Sequence, residues 1–375
     1  MKNNVVIFDH SIQTEKPKSA AAQFISGAAY YYGKDTEQNY TKAMEQFQNA
    51  ADAGSASAQL YLGIGYLLGE GISQNYPEAV KWFQKAAHQN DPDGQAFLGE
   101  CYYKGTGIKQ NFEEAVKLFR TAAEKNSGEA EYYLGECSLY GKGLDKDKTE
   151  ANEWYRKSVE DLLNESRFDK KFAGFFLAEC YAFAKGVKQN YTEAAKWFRE
   201  SAEADFPQSQ NNIGHFLING LGIQPNPEEA IKWYRKSAER GYAIANLNLG
   251  ECYYNGQGVK KDYGEAANWF RKAAKKEVSW AEYYLGECYS KGLGVQKDEI
   301  EADNWYRKAV PDLERDFNNG FPGIDIFLAD CYAHGKGVEK NEASAIKWYQ
   351  IAAEAGNTDA KKVLEEIQKA KNSSL

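Results

Sequence analysis

Six cysteines, four histidines and a surplus of carboxylates are the side chains in this sequence that could do chemistry. Cys101, Cys137, Cys180, Cys252, Cys288 and Cys331 form no C-x-x-C pair, the spacing that a zinc site would use. His10, His88, His215 and His334 share no spacing that builds a triad or a metal cluster. The sequence has no G-x-S-x-G elbow, Walker loop, H-E-x-x-H or complete G-x-G-x-x-G. Its G-x-G turns, such as Gly105 with Gly107, resemble phosphate cradles, but they recur along the chain and follow a helical pattern rather than a strand. Neighbouring acids such as Glu113 with Glu114 and Glu228 with Glu229 fall where a helix would begin, and the helix dipole accounts for acids there. These residues predict no catalytic group, no metal and no cofactor.

Composition narrows the partners. A net charge of −8 and a pI near 5.4 argue against nucleic acid or an anionic membrane surface. Hydrophobic residues at 43%, with 14% aromatics, suffice for a packed core. No apolar run approaches the roughly 18 residues that a membrane span needs. Near the N-terminus only Val5–Phe8 is apolar, too short for a signal-peptide core. The sequence therefore predicts a cytoplasmic protein without membrane insertion, residues 1–19 forming a flexible tail.

What positions these residues is a repeat. A glycine or alanine, usually after leucine, stands at 27, 63, 99, 135, 178, 214, 250, 286 and 329, at intervals of 36, 36, 36, 43, 36, 36, 36 and 43 residues. A fixed period of this size marks a solenoid. "AEYYLGEC" at 130–137 returns at 281–288, so a module of 151 residues is duplicated. Each repeat predicts two helices. The first ends at a glycine six residues after the anchor, such as Gly69 or Gly105. Asn75, Asn111, Asn190 and Asn226 are placed as N-caps of the second, and all eight prolines are expected outside helix interiors. The insertions at 160–172 and 310–323 should lengthen the second helix or its following loop. Alanine recurs sixteen residues after every anchor, from Ala43 to Ala345, and an aromatic four residues later, from Phe47 to Tyr349. Such constancy predicts close helix contact, with the aromatics and the adjacent tryptophans (Trp82, Trp154, Trp197, Trp233, Trp269, Trp305, Trp348) in the core between repeats. The cysteines all stand two residues after an anchor. Helices pack roughly 8–10 Å apart, too far for a ladder of disulfides, so small reduced core thiols are expected.

The pattern A-x-x-x-L-G-x-x-Y-x-x-G-x-G-V-x-x-[ND]-x-x-x-A-x-x-W-[FY]-x-x-A-A resembles the Sel-one-like repeat family, relatives of tetratricopeptide repeats. The resemblance implies an all-α, right-handed α-α superhelix of about nine helix-turn-helix repeats spanning 20–358, starting near 22, 58, 94, 130, 173, 209, 245, 281 and 324. Residues 359–375 then form a C-terminal cap helix and tail. Some secreted members carry two cysteines per repeat; this chain has at most one. The resemblance also implies a scaffold that binds other proteins on the concave surface lined by first helices.

One stripe of the first helices fits that role. The position after the anchor is acidic in six repeats: Glu100, Glu136, Glu179, Glu251, Glu287 and Asp330. On a helical wheel its neighbours include Tyr103, Tyr132, Phe175, Tyr254 and Tyr283, large apolar side chains that a solvated face does not need. These eleven residues are expected to form a partner-binding groove selective for basic and apolar peptide segments, in a monomeric non-catalytic scaffold or adaptor. The competing reading is a hydrolase or small-molecule binder that uses an acidic cleft within the superhelix.

Overall fold

A computed structural model describes residues 19–167, 169–318 and 323–373, so the expected tail lies outside the described residues except for Ser19. The described residues contain nineteen helices and no strand. The chain divides into two compact units, Met1–Glu200 and Ser201–Leu375. Unit 1 holds α1 (Ala20–Tyr32), α2 (Tyr40–Asp52), α3 (Ala56–Leu68), α4 (Tyr76–His88), α5 (Pro92–Lys104), α6 (Phe112–Ala123), α7 (Gly128–Tyr140), α8 (Lys148–Glu165) and α9 (Phe172–Phe183). Helix α10 (Tyr191–Glu203) runs through the division. Unit 2 holds α11 (Pro207–Asn219), α12 (Pro227–Glu239), α13 (Ala243–Asn255), α14 (Tyr263–Ala274), α15 (Ser279–Lys291), α16 (Glu299–Asn318), α17 (Asp325–His334), α18 (Glu342–Glu354) and α19 (Thr358–Ser373).

Local chemistry fixes the helix ends. The side chains of Asn75, Asn111, Asn190 and Asn226 accept from the backbone N–H three residues on, at 3.1–3.2 Å. Each supplies a partner that the first turn otherwise lacks. Gly105 closes α5 at φ +73°, its N–H returning to the Cys101 carbonyl. Gly107 is needed for a different reason: a Cβ there would lie 2.5 Å from the backbone of Tyr76, where the preceding repeat's second helix begins. Ala184 takes the left-handed turn at φ +56° in the one repeat without the capping glycine.

Within each unit, helices pack on their chain neighbours from α1 to α9 and from α11 to α19. In unit 1, α3 also packs on α5, α5 on α7 and α7 on α9, so first helices share one face. The anchor glycine sets the spacing inside each pair. A Cβ on Gly99 would come within 2.6 Å of the Phe119 ring, and one on Gly135 within 2.5 Å of the Tyr155 ring. The rings lie over bare Cα atoms, and Phe47, Phe83, Phe119 and Phe270 are wholly buried. The recurrent alanines are buried as well. The tryptophans are buried or half-buried, and all six cysteines are buried and free. Burial raises five of the thiols to about 12 and Cys288 to about 11, which removes their reactivity near neutral pH.

The insertions extend α8 to 18 residues and α16 to 20, against 12 or 13 in the other second helices. One expectation fails there, because Pro311 lies inside α16. The helix runs on through the insertion, and Pro311 is on its exposed side, where water can satisfy the carbonyl that loses a donor. In unit 1 the end of the other insertion returns to the first repeats. The Lys171 ammonium meets Glu70 Oε1 at 2.8 Å and the Tyr31 hydroxyl at 2.9 Å, and Tyr31 donates to Glu70 Oε2 at 2.6 Å. Phe172 meets Phe97 edge-on at 5.0 Å.

Two stability measurements check this account. Gly99→Ala should cost about 1–3 kcal/mol in urea unfolding because the Phe119 ring must move, whereas Lys81→Ala, on an exposed side chain, should stay within about 0.5 kcal/mol. Lys171→Met should cost about 3–5 kcal/mol by taking the ammonium from the buried Glu70, and Lys171→Met with Glu70→Leu should recover most of it.

Candidate functional site

The helical wheel places the acids and aromatics of the expected stripe on one side of the first helices, but packing separates them by depth. Tyr103, Tyr132 and Tyr283 are buried, not exposed as expected, and Phe175 and Tyr254 are half-buried. The cause is the next repeat, whose rings fill the space. Tyr103 packs on Tyr133 at 5.4 Å between centroids, Tyr132 on Phe176 at 4.9 Å, and Tyr283 on Phe327 at 4.9 Å. Phe175 touches Phe176 and Phe198, while Tyr254 touches Tyr263 and Tyr284.

The carboxylates after the anchor accept from tyrosine hydroxyls of the same packing. Glu100, Glu136, Glu179, Glu251 and Asp330 are half-buried and Glu287 is buried. Tyr133 donates to Glu100 at 2.8 Å, and Glu100 pairs with Lys104. Tyr155 donates to Glu136 at 2.5 Å, and Lys185 approaches Glu136 at 2.8 Å and the Tyr132 hydroxyl at 2.5 Å. In unit 2, Tyr306 donates to Glu287 at 2.5 Å, Lys336 approaches Glu287 at 2.6 Å and Asp330 at 2.5 Å, and Tyr283 donates to Asp330. Tyr132, Glu136, Tyr155, Glu179 and Lys185 therefore correspond, 151 residues on, to Tyr283, Glu287, Tyr306, Asp330 and Lys336.

Electrostatics differ along the row. Burial raises the Glu179 carboxyl, with Lys185 opposing, and burial raises Glu251 against a hydrogen bond from Tyr284. For Glu287 burial also acts upward, yet hydrogen bonds from Lys291, Lys336 and Tyr306 prevail and hold it down at about 2. The lysines were the part that the pattern of acids did not reveal. Their signal was present, since Lys142, Lys185 and Lys336 stand seven residues after an anchor, at the middle of the paired-glycine turn. Glu70 carries the opposite charge at that register and is the residue that takes Lys171.

One further position on this side is open. Five residues after the anchor, and one turn beyond the acid, stand Tyr32, Tyr140 and Phe183, 45%, 55% and 63% exposed. Tyr140 follows Glu136 by four residues and Phe183 follows Glu179 by four, a spacing that puts each pair on one helix face. Lys142 lies 5.7 Å from the Tyr140 ring and Lys185 the same distance from that of Phe183. The accessible aromatics thus belong to the residue after the stripe that the wheel selected. Among the described residues no group of histidine, cysteine and carboxylate side chains has the arrangement of a metal site, and no helix is long and apolar enough to cross a membrane.

Compared with known families, the chain matches the Sel1 repeat at residues 20–55, 56–91, 92–127, 128–161, 173–206, 207–242, 243–278, 281–310 and 326–357. Among solved structures it is similar to c5321, a protective antigen present in uropathogenic Escherichia coli strains displaying an SLR fold. The two are 30% identical over 94% of this chain and 88% of that one, with a TM-score of 0.36. It is also similar to a Sel1 repeat protein from Oxalobacter formigenes, at 25% identity over 83% of this chain and 86% of that one, with a TM-score of 0.45. No curated protein matches.

Two outcomes follow from the site geometry. Tyr132→Ala should lower stability by about 3 kcal/mol, read as an early thermal melt, because the ring is core. The Glu287 carboxyl, at about 2 against an ordinary 4.5, adds stability that is complete above pH 4.5 and lost as pH falls toward 2. Between pH 6 and 2.5 the wild-type protein should lose on the order of 2 kcal/mol more than Glu287→Gln in urea titrations.

Proposed function

Because the chain belongs to the Sel1 repeat family, whose repeats generally mediate protein–protein interactions, we propose that it is a non-catalytic scaffold binding partner polypeptides along its first helices. The observation that carries this reading is the pair Tyr140 and Phe183, on the first helices of consecutive repeats in unit 1 and each more than half exposed. Exposed rings of this size are unfavourable in water and are the side chains that become binding anchors when a partner covers them. Glu136 and Glu179 stand one turn away on the same face and Lys142 and Lys185 lie beside the rings, so the surface offers apolar contact next to carboxylates and ammonium groups. A peptide segment with an apolar residue next to a basic one fits it. In unit 1 Tyr103 and Tyr132 support the surface from below and Glu100 extends its charge to the preceding repeat; within unit 2, Tyr283, Glu251, Glu287 and Asp330 hold the corresponding sequence positions. In unit 2 the position of the exposed rings is taken by Asn219, Asn255, Lys291 and His334, which confines the aromatic part to unit 1.

The test compares the wild-type protein with Tyr140→Ala/Phe183→Ala in affinity capture from a lysate read by mass spectrometry. A polypeptide captured by the wild type alone is then titrated at two ionic strengths. The double variant should bind at least 30-fold more weakly at both, about 2 kcal/mol, with an unchanged melting temperature. Glu179→Gln should weaken binding mainly at low salt. Equal binding by the double variant and the wild type would place the partner surface elsewhere.

A further inference from the structure

Unit 1 holds a second group of acids at the other end of the first helices. Glu129 in the first turn of α7 is 7% exposed, and its Oε1 is buried without a hydrogen-bond partner. Glu165, the last residue of α8, accepts from the Gly128 N–H at 2.9 Å and so lies against the same turn. Asp93 occupies the matching register one repeat earlier, in the first turn of α5. Burial raises the Glu129 carboxyl well above the ordinary range, and the charges of Glu100, Asp93 and Glu165 add to the effect. Burial with neighbouring acids likewise takes the half-buried Glu165 to about 7 against the Gly128 hydrogen bond, while Asp93 is exposed. The helix N-termini beneath Asp93 and Glu129 favour negative charge only weakly, within the first turn. Lys104 acts on Glu129, but it is itself paired with Glu100.

Elsewhere in the same unit this fold answers a buried or half-buried carboxylate with a lysine ammonium. Lys171 meets Glu70, and Lys185 meets Glu136. Both ammonium groups take a tyrosine hydroxyl as a further partner. We propose that the carboxylates of Glu129, Glu165 and Asp93 bind the side-chain ammonium of a lysine from a partner polypeptide. The ammonium has three donors, which suits Glu129 Oε1 and the two flanking acids. Charge complementarity selects a cation, and the buried oxygen selects one able to donate hydrogen bonds. The site deepens the scaffold reading by naming the chemistry of one anchor. It is separate from Tyr140, eleven residues or roughly 16 Å along α7.

The test uses the full-length protein and an acetylated tetralysine amide, titrated calorimetrically at 150 mM salt. The wild-type protein should bind it, Glu129→Gln and Glu165→Gln should each weaken binding at least tenfold, and Glu228→Gln on an exposed first turn of unit 2 should leave it unchanged. At pH 6.5 binding should release protons, because the cation favours the ionised acids, and the heat should therefore change between buffers of different ionisation enthalpy. The ε-acetylated peptide should not bind. No binding of tetralysine, or equal weakening by Glu228→Gln, would overturn the site. Spermine binding as tightly as the peptide with the same dependence on Glu129 would assign it to a free polyamine instead and overturn the polypeptide partner. Should Glu129→Gln melt early, Glu165→Gln carries the comparison, since glutamine can still accept from Gly128. Failure here leaves the Tyr140 and Phe183 comparison intact, because that variant pair reads a different end of the helix.

Discussion

A ring resting on a glycine Cα is the contact on which the rest of this structure depends. With no Cβ on the anchor, the aromatic residue twenty positions later can lie against the backbone of the first helix, and the pair closes to a spacing that no larger side chain permits. The buried alanine sixteen after the anchor keeps the same approach free on the second helix. Once that spacing is set, the paired-glycine turn reaches the start of the preceding repeat's second helix, and Gly107 shows that this approach too is backbone on backbone. A single steric condition, repeated along the chain, thus organises both the pair and the stack.

The polar side of the molecule is built on that spacing rather than added to it. Because each first helix stands close to the next, tyrosines three before the anchor have their rings covered and only their hydroxyls left to satisfy, and the acids after the anchor accept from tyrosine hydroxyls of either helix. Tyr283 donates to Asp330 of the next repeat, while Tyr155 donates to Glu136 within its own. The lysine of the glycine turn completes the group by holding two neighbouring repeats at once: Lys336 bridges Glu287 and Asp330. A tyrosine hydroxyl and an ammonium together let a carboxylate remain charged at a depth where burial alone would protonate it, and Glu287 is the clearest instance.

The helices, caps and turns were legible in the sequence because they obey local rules: Asn75, Asn111, Asn190 and Asn226 each cap where their spacing said they would. The depth of the stripe was not, because a wheel assigns direction within one helix while burial depends on the helix beside it. Tyr132 and Tyr140 both lie toward that side, yet Phe176 covers the first and nothing comparable covers the second. Pro311 misled for a related reason, since a proline marks where a helix is costly and not where packing will carry it onward. The Lys171–Glu70 contact joins residues 101 apart, and only the charge of Glu70 at a lysine register hinted at it.

That contact alters how unit 1 comes apart. In a simple array each repeat is bound only to its neighbours, so the terminal repeat is released first and the loss proceeds inward one step at a time. Lys171 ties Tyr31 of the first repeat to the start of α9 in the fifth, closing the row into a loop of interactions. The first repeat cannot leave without exposing a charge held far along the chain, and the fifth cannot shift without disturbing the first. Unit 1 is therefore expected to open as a single cooperative body with no frayed end, a topological property that no nearest-neighbour sum over its repeats contains.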